Sequence, residues 1–281
     1  MKSRIAAIVL AGSTAACAGG GSPGTPGPDA ALAYGMAPAS PLIYETADTM
    51  TIDMDIAGTP VQVSVRADAT MEATFTRAGD ALQAAIRYTA MSGSFANSMG
   101  PAVPISNADI PDVATLRLER NGEVSGVELP EASEAFRQIF GAESSYRRLF
   151  VRLPARAVQP GEMWTDTLST TEDVGGMSSE ITQIVTSTLT GDTLVDGRRL
   201  RVITSDITGT TRIAGMNQGM EIRQLLNGSS SAVTLWDPAR GAIVERIETG
   251  TAQGSMELPG MGMTGLPIQM NSKSVIRLQG G

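Results

Sequence analysis

The 281-residue chain contains no histidine and a single cysteine. Histidine is the commonest metal ligand and the usual general base near neutral pH. Its absence excludes a Ser-His-Asp triad, a His-based zinc site and an H-E-x-x-H helix. One cysteine excludes an intrachain disulfide and a cysteine metal cluster. Aromatics make up only 4% of the residues, so the core must be built from Val, Ile, Leu, Ala and Met. Lysine occurs only at Lys2 and Lys273, and the formal net charge is −8. An acidic chain with few aromatics lacks the basic footprint and the stacking platforms that nucleic acids require, so no nucleic-acid partner is expected. No stretch matches a phosphate loop, and the inventory for general-base chemistry is poor, so the chain is expected not to be an enzyme and to need no cofactor or metal.

The chain starts with a positive Lys2/Arg4 segment, an uncharged apolar run from Ile5 to Gly12, and the small residues Ser13-Thr14-Ala15-Ala16 before Cys17. These are the three parts of a secretory signal. The apolar run is too short to span a bilayer, which takes about 20 residues. Loss of Lys2 and Arg4 with the signal would take the charge from −8 to −10. Thr14-Ala15-Ala16-Cys17 resembles the lipobox of bacterial lipoprotein precursors, departing at Thr14, where that family usually has Leu. The resemblance implies a lipid on Cys17, membrane attachment through it, and sorting to the outer membrane facing the periplasm, because no Asp follows Cys17. Ordinary cleavage at Thr14-x-Ala16 stays open and would give a periplasmic or secreted protein. Expected boundaries are a signal peptide at 1–16, a lipidated Cys17 with a Gly/Pro-rich tether at 17–40, and a single β-rich domain at 41–281.

The body alternates with period two. From Val61 to Phe75 every odd residue is apolar and every even residue polar, which means strands with one buried and one wet face. Ala78-Gly79-Asp80 turns the chain into Leu82, Ala84, Ile86 and Tyr88, an antiparallel meander. Asn121-Gly122, Pro160-Gly161, Asp196-Gly197 and Trp236–Gly241 mark further turns. Eleven to fourteen strands are expected. The fold class is mainly β: a large curved antiparallel sheet, half-barrel or barrel-like, with one short covering helix over Pro130–Phe140. Phe136, Ile139 and Phe140 form the apolar stripe of that helix, and Gly141 its stop. Met91–Asp112 reads as a mobile loop, Arg147–Leu153 as a strand, and Met256–Met270 as a Gly/Pro-rich loop.

That last segment carries Met256, Met261, Met263 and Met270. Their side chains suit irregular apolar ligands, could bind Cu(I) as thioethers, or could cap the core. Asp53 with Asp55, and Glu245 with Glu248, are the nearest approaches to carboxylate pairs; the register puts Asp53 and Asp55 on a solvated face. Trp164 and Trp236 beside turns read as core. The body also resembles, in architecture and without a shared motif, the LolA-like and LprG-like periplasmic lipid carriers. The resemblance implies a binding module for a hydrophobic, lipid-like ligand lined by Phe136, Ile139, Phe140, Met256, Met261 and Met263. The alternative is an envelope lipoprotein that binds another protein through its surface or a sheet edge.

Overall fold

In the computed structural model the described residues are 32–34 and 38–280, less 57, 99, 132–135, 137–142, 148, 175, 176 and 218. They form a single curved, open antiparallel sheet of twelve strands with almost no helix. The strands are β1 Leu42–Ile56, β2 Thr59–Ala78, β3 Ala81–Asn97, β4 Val103–Ile105, β5 Ala114–Leu118, β6 Val124–Glu128, β7 Met163–Val174, β8 Met177–Val195, β9 Arg198–Asn217, β10 Met220–Asp237, β11 Ala242–Leu258 and β12 Met263–Leu278. Their spatial order is β6-β5-β3-β2-β1-β12-β11-β10-β9-β8-β7, with β4 attached to β3. Two meanders are thus joined side by side through β1 and β12, and β6 and β7 are left as the edges.

The alternation of β2 sets the inward face. Val61, Val63, Val65, Ala67, Ala69, Met71 and Ala73 are buried. Their register partners carry that face across the sheet, through Met50 and Thr46 on β1 to Ser272 and Ile276 on β12. Bulges at Thr70/Met71, Leu235/Trp236 and Leu189/Gly191 add the local bend that a curved sheet needs.

Among the described residues the concave face is covered at the end that holds the main apolar cluster. Residues 129–162 connect the two edges, and Phe150, Val151, Leu153 and Val158 from this connection are buried in the main apolar cluster. Leu32 and Tyr34, which precede the expected domain boundary at 41, are buried in the same cluster. Tyr34 donates its N–H to the Arg120 carbonyl at 2.9 Å, and its hydroxyl accepts the Val151 N–H at 2.9 Å. Its ring meets Trp236 edge-on at 4.6 Å and Phe150 at 5.8 Å. Trp236 is fully buried.

Three sequence expectations are corrected. Met91–Asp112 is not a loop throughout. β3 runs on to Asn97 and pairs with β4, and Asn107 Oδ1 accepts the Met91 N–H at 2.7 Å. Ladder bonds to β2 outweigh the Gly/Ser/Asn composition. Arg147–Leu153 is not a strand: α1, Glu143–Arg147, ends there, Leu149 and Phe150 turn back with their N–H groups on the Tyr146 and Arg147 carbonyls, and the Leu153 N–H is bonded to the Asn121 carbonyl. Met256–Met270 is not a loop either. β11 and β12 run almost to their tip and meet at a 3-10 turn, Pro259–Met261, closed by Gly262 in the left-handed region (φ 66°). Met256, Leu258, Leu266 and Ile268 keep the inward period through the prolines. Phe136 is helical and buried; Ile139 and Phe140 lie outside the described residues.

Candidate functional site

On the concave face the inward residues fall into three bands running across the strands. The first is the main cluster, with Ala73, Ile86, Leu118, Leu189, Ile203 and Trp236 among its members. At the other end lies a smaller cluster, Leu226, Ala252, Met256, Leu258 and Ile268, with Ile52, Met54, Ile222, Met263, Leu266 and Met270 half-buried around it. Between them most inward positions on β1, β12, β11 and β10 are polar or small, with Met50 and, further along, Ile207 as apolar exceptions. Asp48 faces Ser274, which faces Glu248. The same row continues through Ala232 to Ser205 and Ser187. One step along the strands, Met50, Ser272, Gly250 and Ser230 form the next row.

This polar belt is internally bonded. Arg246 Nη2 donates to Glu248 Oε2 at 2.7 Å, and Ser230 Oγ donates to Glu248 Oε1 at 2.9 Å. The buried hydroxyls of Ser187 and Ser205 are 2.8 Å apart. A cavity of about 150 Å³ opens where the belt meets the main cluster. Its walls combine Asp48, Arg246, Glu248 and Ser274 with the apolar Met50, Met71, Tyr88 and Ile276. A second, apolar pocket of about 20 Å³, beside Tyr34, Tyr44, Phe75 and Phe150, is too small for more than a methyl group or two. Burial pushes the hydroxyls of Tyr34 and Tyr44 well above the usual tyrosine range, the Val151 N–H offsetting part of the effect at Tyr34. Both stay protonated at any physiological pH.

No protein family model matches this chain, and no curated protein matches it. Among solved structures, a DUF1329 family protein from Desulfovibrio piger shares 9% identity over 90% of this chain and 88% of that one, with a TM-score of 0.18. At that level the likeness carries no argument about function.

The residues singled out from sequence do not gather in one place. Phe136 packs in the main cluster, 5.5 Å from the Tyr88 ring. Met256 is buried in the smaller cluster, Met263 packs against it, and Met261 at the turn is exposed. Cys17 lies outside the described residues. Asp53 and Asp55 are exposed and serve local bonds, Asp53 to the Gln62 amide and Asp55 to the Gly58 N–H, each 2.7 Å. Glu245 and Glu248 do not form a pair, since Glu245 binds Arg277 and Glu248 binds Arg246. Trp164 is half-buried and donates its indole N–H to the Arg152 carbonyl at 3.0 Å.

Sequence reasoning missed the belt. Its signal is a break of phase: Asp48 and Ser272/Ser274 occupy positions that alternation assigns to the apolar series Tyr44–Met54 and Ile268–Leu278. Among the described residues no group of three or more His, Cys, Asp or Glu side chains is placed to hold a metal ion. No helix there is long and apolar enough to cross a membrane.

Proposed function

We propose that this is a cell-envelope lipoprotein, attached through lipid on Cys17 at the outer membrane facing the periplasm, whose β-rich domain is a non-enzymatic binding module for a hydrophobic, lipid-like ligand. One observation carries the ligand reading. The concave face bears more inward apolar surface than its packed core uses, because the smaller cluster stands apart from the main one and keeps Ile52, Met54, Ile222, Met263, Leu266 and Met270 only half-buried. Concave, mostly apolar surface with a few polar groups is the usual form of a small-molecule site. Met256 and Met263 supply adaptable side chains there, and Phe136 backs the covered end.

Native mass spectrometry of the full chain, purified from a bacterial envelope and followed by lipid extraction, tests the ligand. A stoichiometric co-purifying lipid is the expected result. A bare protein mass that added lipids leave unchanged would sink it. Attachment has its own test. Cys17→Ser is expected to move the protein from the membrane to the soluble envelope fraction, and unchanged fractionation would mean ordinary cleavage.

A second reading has one observation behind it. β7 is a twelve-residue strand at the edge of the sheet, and among the described residues it pairs with β8 alone. A free strand edge can accept a strand from another envelope protein. Site-directed crosslinking from β7 that captured no protein would remove this reading.

A further inference from the structure

The strands reverse at two opposite ends of the sheet, and the two sets of turns differ in kind. At the covered end the hairpins turn beside charged residues: Asp80, Glu123, Arg198 and Arg240 each adjoin the glycine of their turn. At the opposite end four hairpins, β1–β2, β7–β8, β9–β10 and β11–β12, turn without a charge between their last strand residues, and Ile56, Met177, Met220, Leu258 and Met263 close them. The register sets these four side by side: Met54 faces Ile268, Arg223 faces Glu257, and Met177 faces Gly215, which faces Ile222. Met216, Met220 and Met261 on this rim are 52%, 47% and 54% exposed. We propose that the rim docks on a lipid bilayer of net-neutral head groups, with its methionines entering the interface. Docking goes beyond the ligand reading above and does not depend on it.

Three observations favour a bilayer. The first is form. The exposed methionines stand on separate turns, and the β9–β10 and β11–β12 turns are two strands, about 10 Å, apart. A bilayer yields around such points, whereas a folded partner would need a socket for each. Exposed apolar groups gathered at one place mark a contact site, and methionine adapts to an irregular one.

The second is continuity. Behind the rim Ile222, Met256, Leu266 and Met54 carry apolar surface inward through the smaller cluster. No inward position on β1, β10, β11 or β12 is charged between the turns and the row of Asp48 and Glu248. A bilayer at the rim therefore meets the mouth of the concave face along an uncharged path.

The third is charge, and it selects the head group. The charged residues next to the four hairpins are Asp55, Asp173, Glu221 and Glu257, and alternation puts them on the convex side, just behind the tips. The nearest cation is Arg223, opposite Glu257 and paired with Glu221. Four acids against one cation make a collar that anionic head groups repel and that the ammonium of a zwitterionic head group tolerates.

The test uses the full chain carrying Cys17→Ser, which removes lipid attachment and leaves no other cysteine. Met261→Cys then gives one site for an environment-sensitive dye, and Asp80→Cys gives a matched site at the covered end. With phosphatidylcholine vesicles the dye at 261 is expected to brighten and shift to the blue, and the dye at 80 to stay unchanged. Met216→Ser, Met220→Ser and Met261→Ser together, in the unlabelled Cys17→Ser chain, are expected to weaken vesicle partitioning at least about tenfold. A shared urea midpoint shows that variant to be folded. Replacing about half of the lipid with anionic phosphatidylglycerol is expected to weaken binding further at low salt, the reverse of a basic peripheral protein. No binding to neutral vesicles would overturn the proposal, and so would an equal response at 80 and 261 or tighter binding to the anionic vesicles. A crosslinker at 261 that captured an envelope protein or a second copy, with no vesicle binding, would give the rim to that partner instead. A co-purifying lipid without vesicle binding would remove the docking and leave the ligand reading. Vesicle binding through 261 without a co-purifying lipid would do the opposite.

Discussion

Replacing Tyr34 with alanine is expected to lower the stability of the domain by about 3–5 kcal/mol, the range for deleting a large buried aromatic side chain. Tyr34 is 4% exposed and sits between Trp236 and Phe150 in edge-on contact with both. Its hydroxyl is also the acceptor for the Val151 N–H, on the segment that covers the concave face. Tyr34→Ala removes the ring and orphans that N–H together. Tyr34→Phe separates the two effects and should cost about 1–3 kcal/mol, the penalty for one unsatisfied buried donor. Urea unfolding followed by tryptophan fluorescence reads both, because Trp236 lies against the ring. The same experiment tests the boundary expected from sequence. A chain begun at residue 41 lacks Leu32 and Tyr34 and should unfold at a urea concentration as low as Tyr34→Ala does. Equal midpoints for the full chain and the shortened one would show that docking of residues 32–34 contributes nothing.

Gly254→Val is expected to be at least as damaging. Gly254 lies mid-strand on β11, on the inward face opposite Leu226 and Ile268. A Cβ built there would run into the Leu225 carbonyl oxygen, a backbone atom held in the β10–β11 ladder. The neighbour cannot swing aside as a side chain would, so relief requires parting the two strands. Overpacking usually costs about 1–3 kcal/mol, and a collision with fixed backbone belongs at or above the top of that range. Gly219→Ala is the matched control. That residue has φ 82° in a turn with open space where the Cβ would go, so only the left-handed conformation is penalised, about 1–2 kcal/mol. Circular dichroism during thermal unfolding should rank Gly254→Val well below Gly219→Ala. The reverse order would mean that the tight approach of β10 and β11 is not a feature of the folded protein.

Much of the fold was legible because period-two patterning is a direct image of a sheet with one wet face. The series Val61–Phe75 defines β2 without help, and the turns at Gly79, Gly122, Gly161, Gly197 and Gly241 all occur where the chain reverses, each with positive φ. What failed were inferences from composition. Gly, Ser and Pro between Met91 and Asp112 and between Met256 and Met270 suggested loops. There the register imposed by neighbouring strands holds the backbone extended, which no local window reveals. The three bands of the concave face were illegible for a related reason. Each band runs across the strands, and the members of the belt are drawn from β1, β8, β9, β10, β11 and β12 and are scattered over more than two hundred residues. Only the pairing order brings Asp48, Ser274 and Glu248 into one row.

The seam between the two meanders has a consequence in time. Glu45 and Gln279, which are hydrogen-bonded beside that seam, are 234 residues apart. Among the described strands, β1 with β12 is the one ladder that joins the two halves. A chain emerging from its N-terminus therefore makes one side of the central joint, β1, more than two hundred residues before the other, β12. Until β12 arrives, β1 and β11 are naked strand edges in mid-molecule, the kind of edge that recruits foreign strands. The chain is exposed to mispairing at both edges for as long as β12 is unmade, and β12 acts as the clasp.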